Sequence, residues 1–201
     1  MKFPYYKKMD YSSGIFRVGP LARLNVAAGI TTPLAGKEFR EFKKLGKGGM
    51  LEGSLYYHYA RLIEGLYATE KVRELLENDQ ICGTELRATS SKYNEQGVGI
   101  VEAPRGTLIH HFYVDSKGTV RKANLIVATQ HNNLAMNRAV FQVAREYVKA
   151  DRMTEGMLNR VEVAIRCYDP CLSCATHELG RMSLSVRLLG PSGELLDEAF
   201  T

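Results

Sequence analysis

The residues best suited to chemistry lie in one short segment, Asp169 to His177, where Cys171 and Cys174 form a Cys-x-x-Cys pair between Asp169-Pro170 and His177. Two cysteines at this spacing can turn both sulfurs toward one ion, and a bound cation holds each as thiolate by lowering its pKa. Zinc ribbons, iron-sulfur proteins and dithiol oxidoreductases all use such a pair. A structural zinc site needs two further ligands at similar spacing. The remaining cysteines, Cys82 and Cys167, make no second pair and read as ordinary buried thiols. A thioredoxin-like site would follow a strand and open a helix with an aromatic neighbour. Here the flanks are Asp-Pro before the pair and Ala-Thr-His after it.

The elements that must position this segment follow from apolar spacing. Residues 1–34 contain Gly14, Gly19, Pro20, Gly29 and Pro33, which punctuate too often for long elements and predict irregular structure with short helices. Helical spacing runs over 37–45 and again over 51–78, the second helix interrupted near Thr69. From Val98 the character changes. The β-branched and aromatic runs 107–114 and 120–127 flank the turn-type sequence Asp115 to Gly118, a β-hairpin on which His110 and His111 face opposite sides. Helical spacing returns over 133–149, and Thr154 is placed to cap a helix reaching about Arg166. The cysteine pair follows directly. Beyond His177, the runs 184–189 and 194–199 flank Gly190 to Gly193 as a second small hairpin. The fold class is therefore mainly α with small antiparallel β-hairpins (α+β), without internal repeats or linkers.

The flanks of the cysteine pair carry a resemblance. Asp169-Pro-Cys-x-x-Cys-x-x-His177 resembles the signature near the C-terminus of nickel-iron hydrogenase large subunits. Glu102 to Gly106 (Glu-Ala-Pro-Arg-Gly), Phe16 to Asn25 (Phe-Arg-Val-Gly-Pro-Leu-Ala-Arg-Leu-Asn) and His58 to Glu64 resemble further motifs of the family, so the likeness covers essentially the whole chain. With Thr107 to His111 and Leu125 to Gln130, it looks closest to the cytoplasmic branch whose partners reduce NAD(P), ferredoxin or viologen-type acceptors.

The resemblance implies an incomplete large-subunit-like helical core over 1–177 and a maturation extension over 178–201. It implies that Cys171 is a terminal nickel ligand and that Cys174 bridges nickel and iron, soft thiolates suiting both metals. The iron would carry cyanide and carbon monoxide. Arg105 would lie over the metals with its fixed, permanently charged donors, Pro104 would hold that segment, and Asp169 would orient Arg105 by a charge-assisted hydrogen bond. His177 would bind magnesium or a second iron together with the backbone carbonyl of Leu125, and the chain would be cleaved after His177. Implied partners are an iron-sulfur small subunit carrying the clusters, a diaphorase or other electron-acceptor subunit, and a maturation endopeptidase and chaperone.

The chain departs from the family in one respect. A complete site needs two more cysteines from an N-terminal Arg-x-Cys-Gly-x-Cys motif, which is absent: Cys82-Gly83 is followed at the required spacing by Glu85. The isolated chain is thus expected to be inert, needing a separate polypeptide or missing segment to bring that Cys-x-x-Cys half. The alternatives are a metal-free, hydrogenase-like structural or quinone-binding subunit of a respiratory complex and a simple zinc module. Composition fits a globular chain: 201 residues, 45% hydrophobic. No run approaches the roughly 20 apolar residues of a membrane span, and no apolar signal region follows the N-terminus. The net charge of +5 is scattered, with no basic stripe interleaved with aromatics to bind nucleic acid. Four cysteines suit a reducing compartment, and the expectation is a cytoplasmic protein.

Overall fold

In the computed structural model, which describes residues 3–87, 89, 94–148, 153–171 and 185–200, the chain divides into two units. One comprises residues 1–18 and 126–201, the other residues 19–125.

The second unit is built on three helices, α1 (Pro20–Val26), α2 (Pro33–Leu45) and α3 (Tyr56–Leu76), followed by a 3₁₀ turn at Asp79–Cys82. Proline opens both α1 and α2, where its missing N–H costs nothing and its fixed φ suits the first turn. Leu21 and Leu24 of α1, Ala35, Phe39 and Phe42 of α2, and Tyr57, Ala60 and Ile63 of α3 form its core. Phe42 meets the rings of Tyr56 and Tyr59 edge-on at 6.3 and 5.6 Å. The amide of Asn25 clamps the backbone of Leu51 from both sides, with Nδ2 donating to its carbonyl and Oδ1 accepting from its N–H. Helix α3 runs unbroken through Thr69, whose hydroxyl bonds the carbonyl of Gly65 four residues back. The interruption expected there is corrected: back-bonding lets threonine sit inside a helix.

The sheet has one strand more than the sequence suggested. Strands β1 (Gln96–Ala103), β2 (Gly106–Val114) and β3 (Val120–Ile126) pair in the order β1-β2-β3. The β1–β2 register runs from Gln96 opposite Tyr113 to Ala103 opposite Gly106. Only Pro104 and Arg105 remain to make the turn. Between β2 and β3 the predicted hairpin turn is present, held by the Asp115 carboxylate accepting from the N–H groups of Lys117 and Thr119, with Gly118 at φ 79°.

The first unit contains α4 (Ala128–Tyr147), α5 (Glu155–Arg166) and a hairpin of β4 (Ser185–Leu189) with β5 (Leu195–Phe200). Thr154 caps α5 as expected, its hydroxyl accepting from the N–H of Met157 at 3.4 Å. Among the described residues no helix is long and apolar enough to cross a membrane.

Helix α2 is capped from outside its own sequence. Thr32 at its N-cap makes no side-chain cap bond, and instead the carboxylate of Glu70 on α3 accepts from the N–H groups of Leu34 and Ala35, both at 2.9 Å. Burial pushes the Glu70 carboxyl up, but the hydrogen bonds from those N–H groups help to outweigh it, and the pKa falls below its ordinary 4.5. A depressed carboxylate stabilises above its unfolded pKa, and that contribution is lost as pH falls through the lower folded value. Glu70→Ala is therefore expected to speed hydrogen exchange at the Leu34 and Ala35 amides near neutral pH. In the parent chain the same amides should lose protection only below about pH 4.5. Unchanged exchange at these amides in the variant would show that Glu70 is not the cap.

Candidate metal centre

Cys171 is delivered by the way α5 stops. After Arg166 the chain continues in turn geometry, with Tyr168 N–H donating to Ile165 O and Asp169 N–H to Arg166 O. Asp169 takes φ +47°, the left-handed conformation that Asp tolerates better than most residues, and Pro170 prevents the helix from resuming. Cys171 is then fixed by its own backbone, whose N–H donates at 3.0 Å to the hydroxyl of Thr129. The preceding Tyr168 is buried and its hydroxyl donates to the carbonyl of Ala135 at 3.3 Å. Both anchors lie on α4.

The N-terminal turns of α4 are unusual in being buried and polar. Thr129, Gln130, His131, Asn132 and Asn133 are all at most 8% exposed. Most buried polar atoms in proteins are hydrogen-bonded, and three of these side chains each accept from a main-chain N–H. Gln130 accepts from the N–H of Val127, Asn132 accepts from the N–H of Val18 at 2.8 Å, and the ring of His131 packs 5.5 Å from that of Phe16. Thr129 belongs to the same set, and the backbone it holds is that of Cys171.

The donor chemistry fits a soft metal, in half measure. Cys171 is partly buried at the end of a backbone-fixed turn. Cys174 and His177 lie outside the described residues. Among the described residues no group of three or more His, Cys, Asp or Glu side chains is arranged to hold a metal ion. Cys167 is a buried free thiol donating to Val163 O at 3.1 Å, as expected, but Cys82 is exposed at the 3₁₀ turn and corrects the expectation of burial. His110 and His111 occupy neighbouring positions of β2, where His110 packs edge-on to Phe112 and His111 contacts Gln96 and Tyr113.

In the other unit, Arg105 is exposed at the two-residue turn between β1 and β2, with Pro104 ahead of it. Proline pre-sets the backbone for the first of two central turn positions. Leu125 is on β3. Sequence reasoning missed the residue that grips the turn. The guanidinium of Arg23 donates to both oxygens of Glu64 at 2.7 and 2.6 Å, to Glu102 at 2.6 Å, and to the carbonyls of Ala103 and Pro104 at 3.0 and 2.7 Å. Burial works against its charge, but hydrogen bonds to Glu64 and Glu102 prevail and raise its pKa further. The signal available in the sequence was the presence of all three partners inside the quoted motifs: Arg23 in Phe16 to Asn25, Glu64 closing His58 to Glu64, and Glu102 opening Glu102 to Gly106.

The comparisons agree with this arrangement of motifs. The profile of the nickel-dependent hydrogenase family matches residues 1–177. The NAD-reducing hydrogenase HoxS subunit beta of Cupriavidus necator is 47% identical over 98% of this chain and 41% of its own length. An F420-non-reducing hydrogenase subunit of Methanothermobacter thermautotrophicus is 44% identical over 89% of this chain and 38% of its own. The crystal structure of an NAD+-reducing [NiFe]-hydrogenase in the H2-reduced state superimposes with a TM-score of 0.81 at 44% identity, covering 87% of this chain and 39% of that one. The chain thus spans about two fifths of the length of these relatives.

Thr129→Val keeps the shape of the side chain and removes the acceptor for Cys171. Leaving that partly buried N–H without a partner is expected to cost about 1–3 kcal/mol in equilibrium urea unfolding. Thr129→Ser should recover most of it. A valine variant as stable as the parent would show that the bond does not hold the turn.

Proposed function

The chain belongs to the nickel-dependent hydrogenase family, and on that premise we propose that it supplies half of the nickel-iron centre of a catalytic subunit that interconverts H2 with protons and electrons. The observation that carries this reading is the fixation of Cys171, the first cysteine of the family signature, by its own N–H immediately after the left-handed stop at Asp169.

In this reading Cys171 would be a terminal nickel ligand and Cys174 a ligand of both nickel and iron, with cyanide and carbon monoxide completing the iron's ligands. When bound, the metal pair supplies the electron-accepting site at which H2 is split. The protein supplies the rest. Arg105 keeps its charge across the ordinary pH range, so its part is to present fixed donors beside the metals, with Pro104 holding its turn and Asp169 orienting it. Cys171 or Arg105 would take the proton, a metal-bound thiolate being a plausible base because coordination tunes its pKa. His177 and the Leu125 carbonyl hold magnesium or a second iron. Two further cysteines come from a polypeptide or segment bearing Arg-x-Cys-Gly-x-Cys. Electrons leave through the clusters of an iron-sulfur small subunit to a diaphorase or other acceptor subunit, and the assembly works in the cytoplasm. The name of the Cupriavidus relative, a subunit of an NAD-reducing enzyme, favours NAD as the final acceptor.

Residues 178–201 are read as an extension removed by a maturation endopeptidase after a chaperone has assisted metal insertion. Two facts favour this: the family match stops at residue 177, and β4 and β5 lie wholly beyond it.

The complex purified from its native host should contain nickel and iron stoichiometric with this chain, and Cys171→Ser should remove the nickel. Zinc in their place would establish the zinc module, and absence of metal in the parent complex would establish the metal-free respiratory relative. Mass spectrometry of the metal-loaded chain is expected to end at His177. A chain ending at Thr201 in that preparation would defeat the proposed processing.

A further inference from the structure

We propose that Arg23 is a positioning residue for Arg105, fixing the turn that presents it; the role rests on the reading of Arg105 given above. The two-residue hairpin tip, Pro104 and Arg105, leaves its strands at the Ala103–Gly106 pair. Helix α1 and its N-cap residue meet three consecutive carbonyls of this tip. Arg23 donates to Ala103 O and Pro104 O. Four residues earlier, at the N-cap of α1, Gly19 lies so close to the carbonyl of Arg105 that a β-carbon there would stand 2.5 Å from its oxygen. Gly19 also has φ +100°, which disfavours any other residue.

The guanidinium is itself held rigidly. Glu64 on α3 takes Nε and Nη2 as a fork, and Glu102 takes Nη1 while its other oxygen accepts from the Thr107 hydroxyl across the strand pair. All five donor hydrogens therefore have partners, two on α3 and three on the turn or the residue leading into it. Lysine offers three donors from a single atom and cannot span these acceptors, although it keeps the charge opposite Glu64. The interaction is thus geometric as well as ionic. A displacement of about 1 Å at a reacting site costs on the order of 100-fold in rate.

The test uses Arg23→Lys, Arg105→Lys and the double variant. In the 201-residue chain, deuterium uptake across 103–107 should rise about 10-fold in Arg23→Lys. In the hydrogenase complex from the native host, Arg23→Lys should lower kcat by roughly 10- to 100-fold with KM for the electron acceptor unchanged. Acting only through Arg105, it should add little to the loss in Arg105→Lys. Unchanged uptake at the turn, or a double variant in which the two losses multiply in full, overturns the positioning role. Unchanged turnover in Arg105→Lys overturns the reading of Arg105 and, with it, the catalytic consequence for Arg23; the uptake experiment tells the two failures apart. Glu102→Gln keeps the side-chain shape and weakens one contact, so it should give the same effects at smaller size even if Arg23→Lys folds poorly.

Discussion

The turn that carries Arg105 in unit 19–125 depends on one half-buried cation. The Arg23 side chain is 25% exposed and faces two carboxylates, Glu64 at 25% and Glu102 at 40%. Exposed ion pairs contribute at most about 1 kcal/mol, while breaking a buried one costs about 3–5 kcal/mol because a charge is left uncompensated. Arg23 lies between these limits. It also joins three separated stretches of chain, since Glu64 is 41 residues away and Glu102 is 79. No apolar contact could do the same, because dispersion and burial are non-directional and would leave the turn able to slide.

Unit 1–18 with 126–201 reaches the same end by a different route. Its critical segment is held by neutral side chains projecting from the first turns of α4, where Thr129, Gln130 and Asn132 each accept from a main-chain N–H. Hydrogen bonds of this kind are individually worth about 1 kcal/mol, but leaving such a buried donor unpaired costs more than the bond itself yields. The asymmetry makes the buried polar run selective. It tolerates one arrangement of Val18, Val127 and Cys171 and penalises others.

Legibility in the sequence followed the range of the interaction. Helix α5, with its Thr154 cap, and the Asp115 to Gly118 turn were readable because a few neighbouring residues decide them. Strand β1 was hidden because Gly97 and Gly99 leave gaps in its side-chain pattern, and all but its last residue is exposed. Helix α4 was expected to begin at Asn133 because residues 128–132 show no apolar period; their burial is a tertiary fact. The cysteine segment was recognised from its flanks alone. The cap of α2 by Glu70 was invisible, and the motifs that hold Arg23, Glu64 and Glu102 did not show that the three meet, because proximity across 35 to 80 residues is what the fold creates.

Both proposed functional groups, the Cys171 thiol and the Arg105 guanidinium, are positioned through the main chain rather than through side-chain packing around them. Arg105 is exposed, Cys171 only partly buried, and each is set by bonds to its own or adjacent peptide groups. Such groups must keep their functional atoms open to a ligand, so the restraint has to act one bond away, on the backbone. A peptide N–H or carbonyl can be fixed without occupying the sulfur or the guanidinium. The cost is that rigidity must come from elsewhere: from a fully used guanidinium in one unit and a buried polar helix start in the other. Residues that never touch a substrate therefore decide where the reactive ones point.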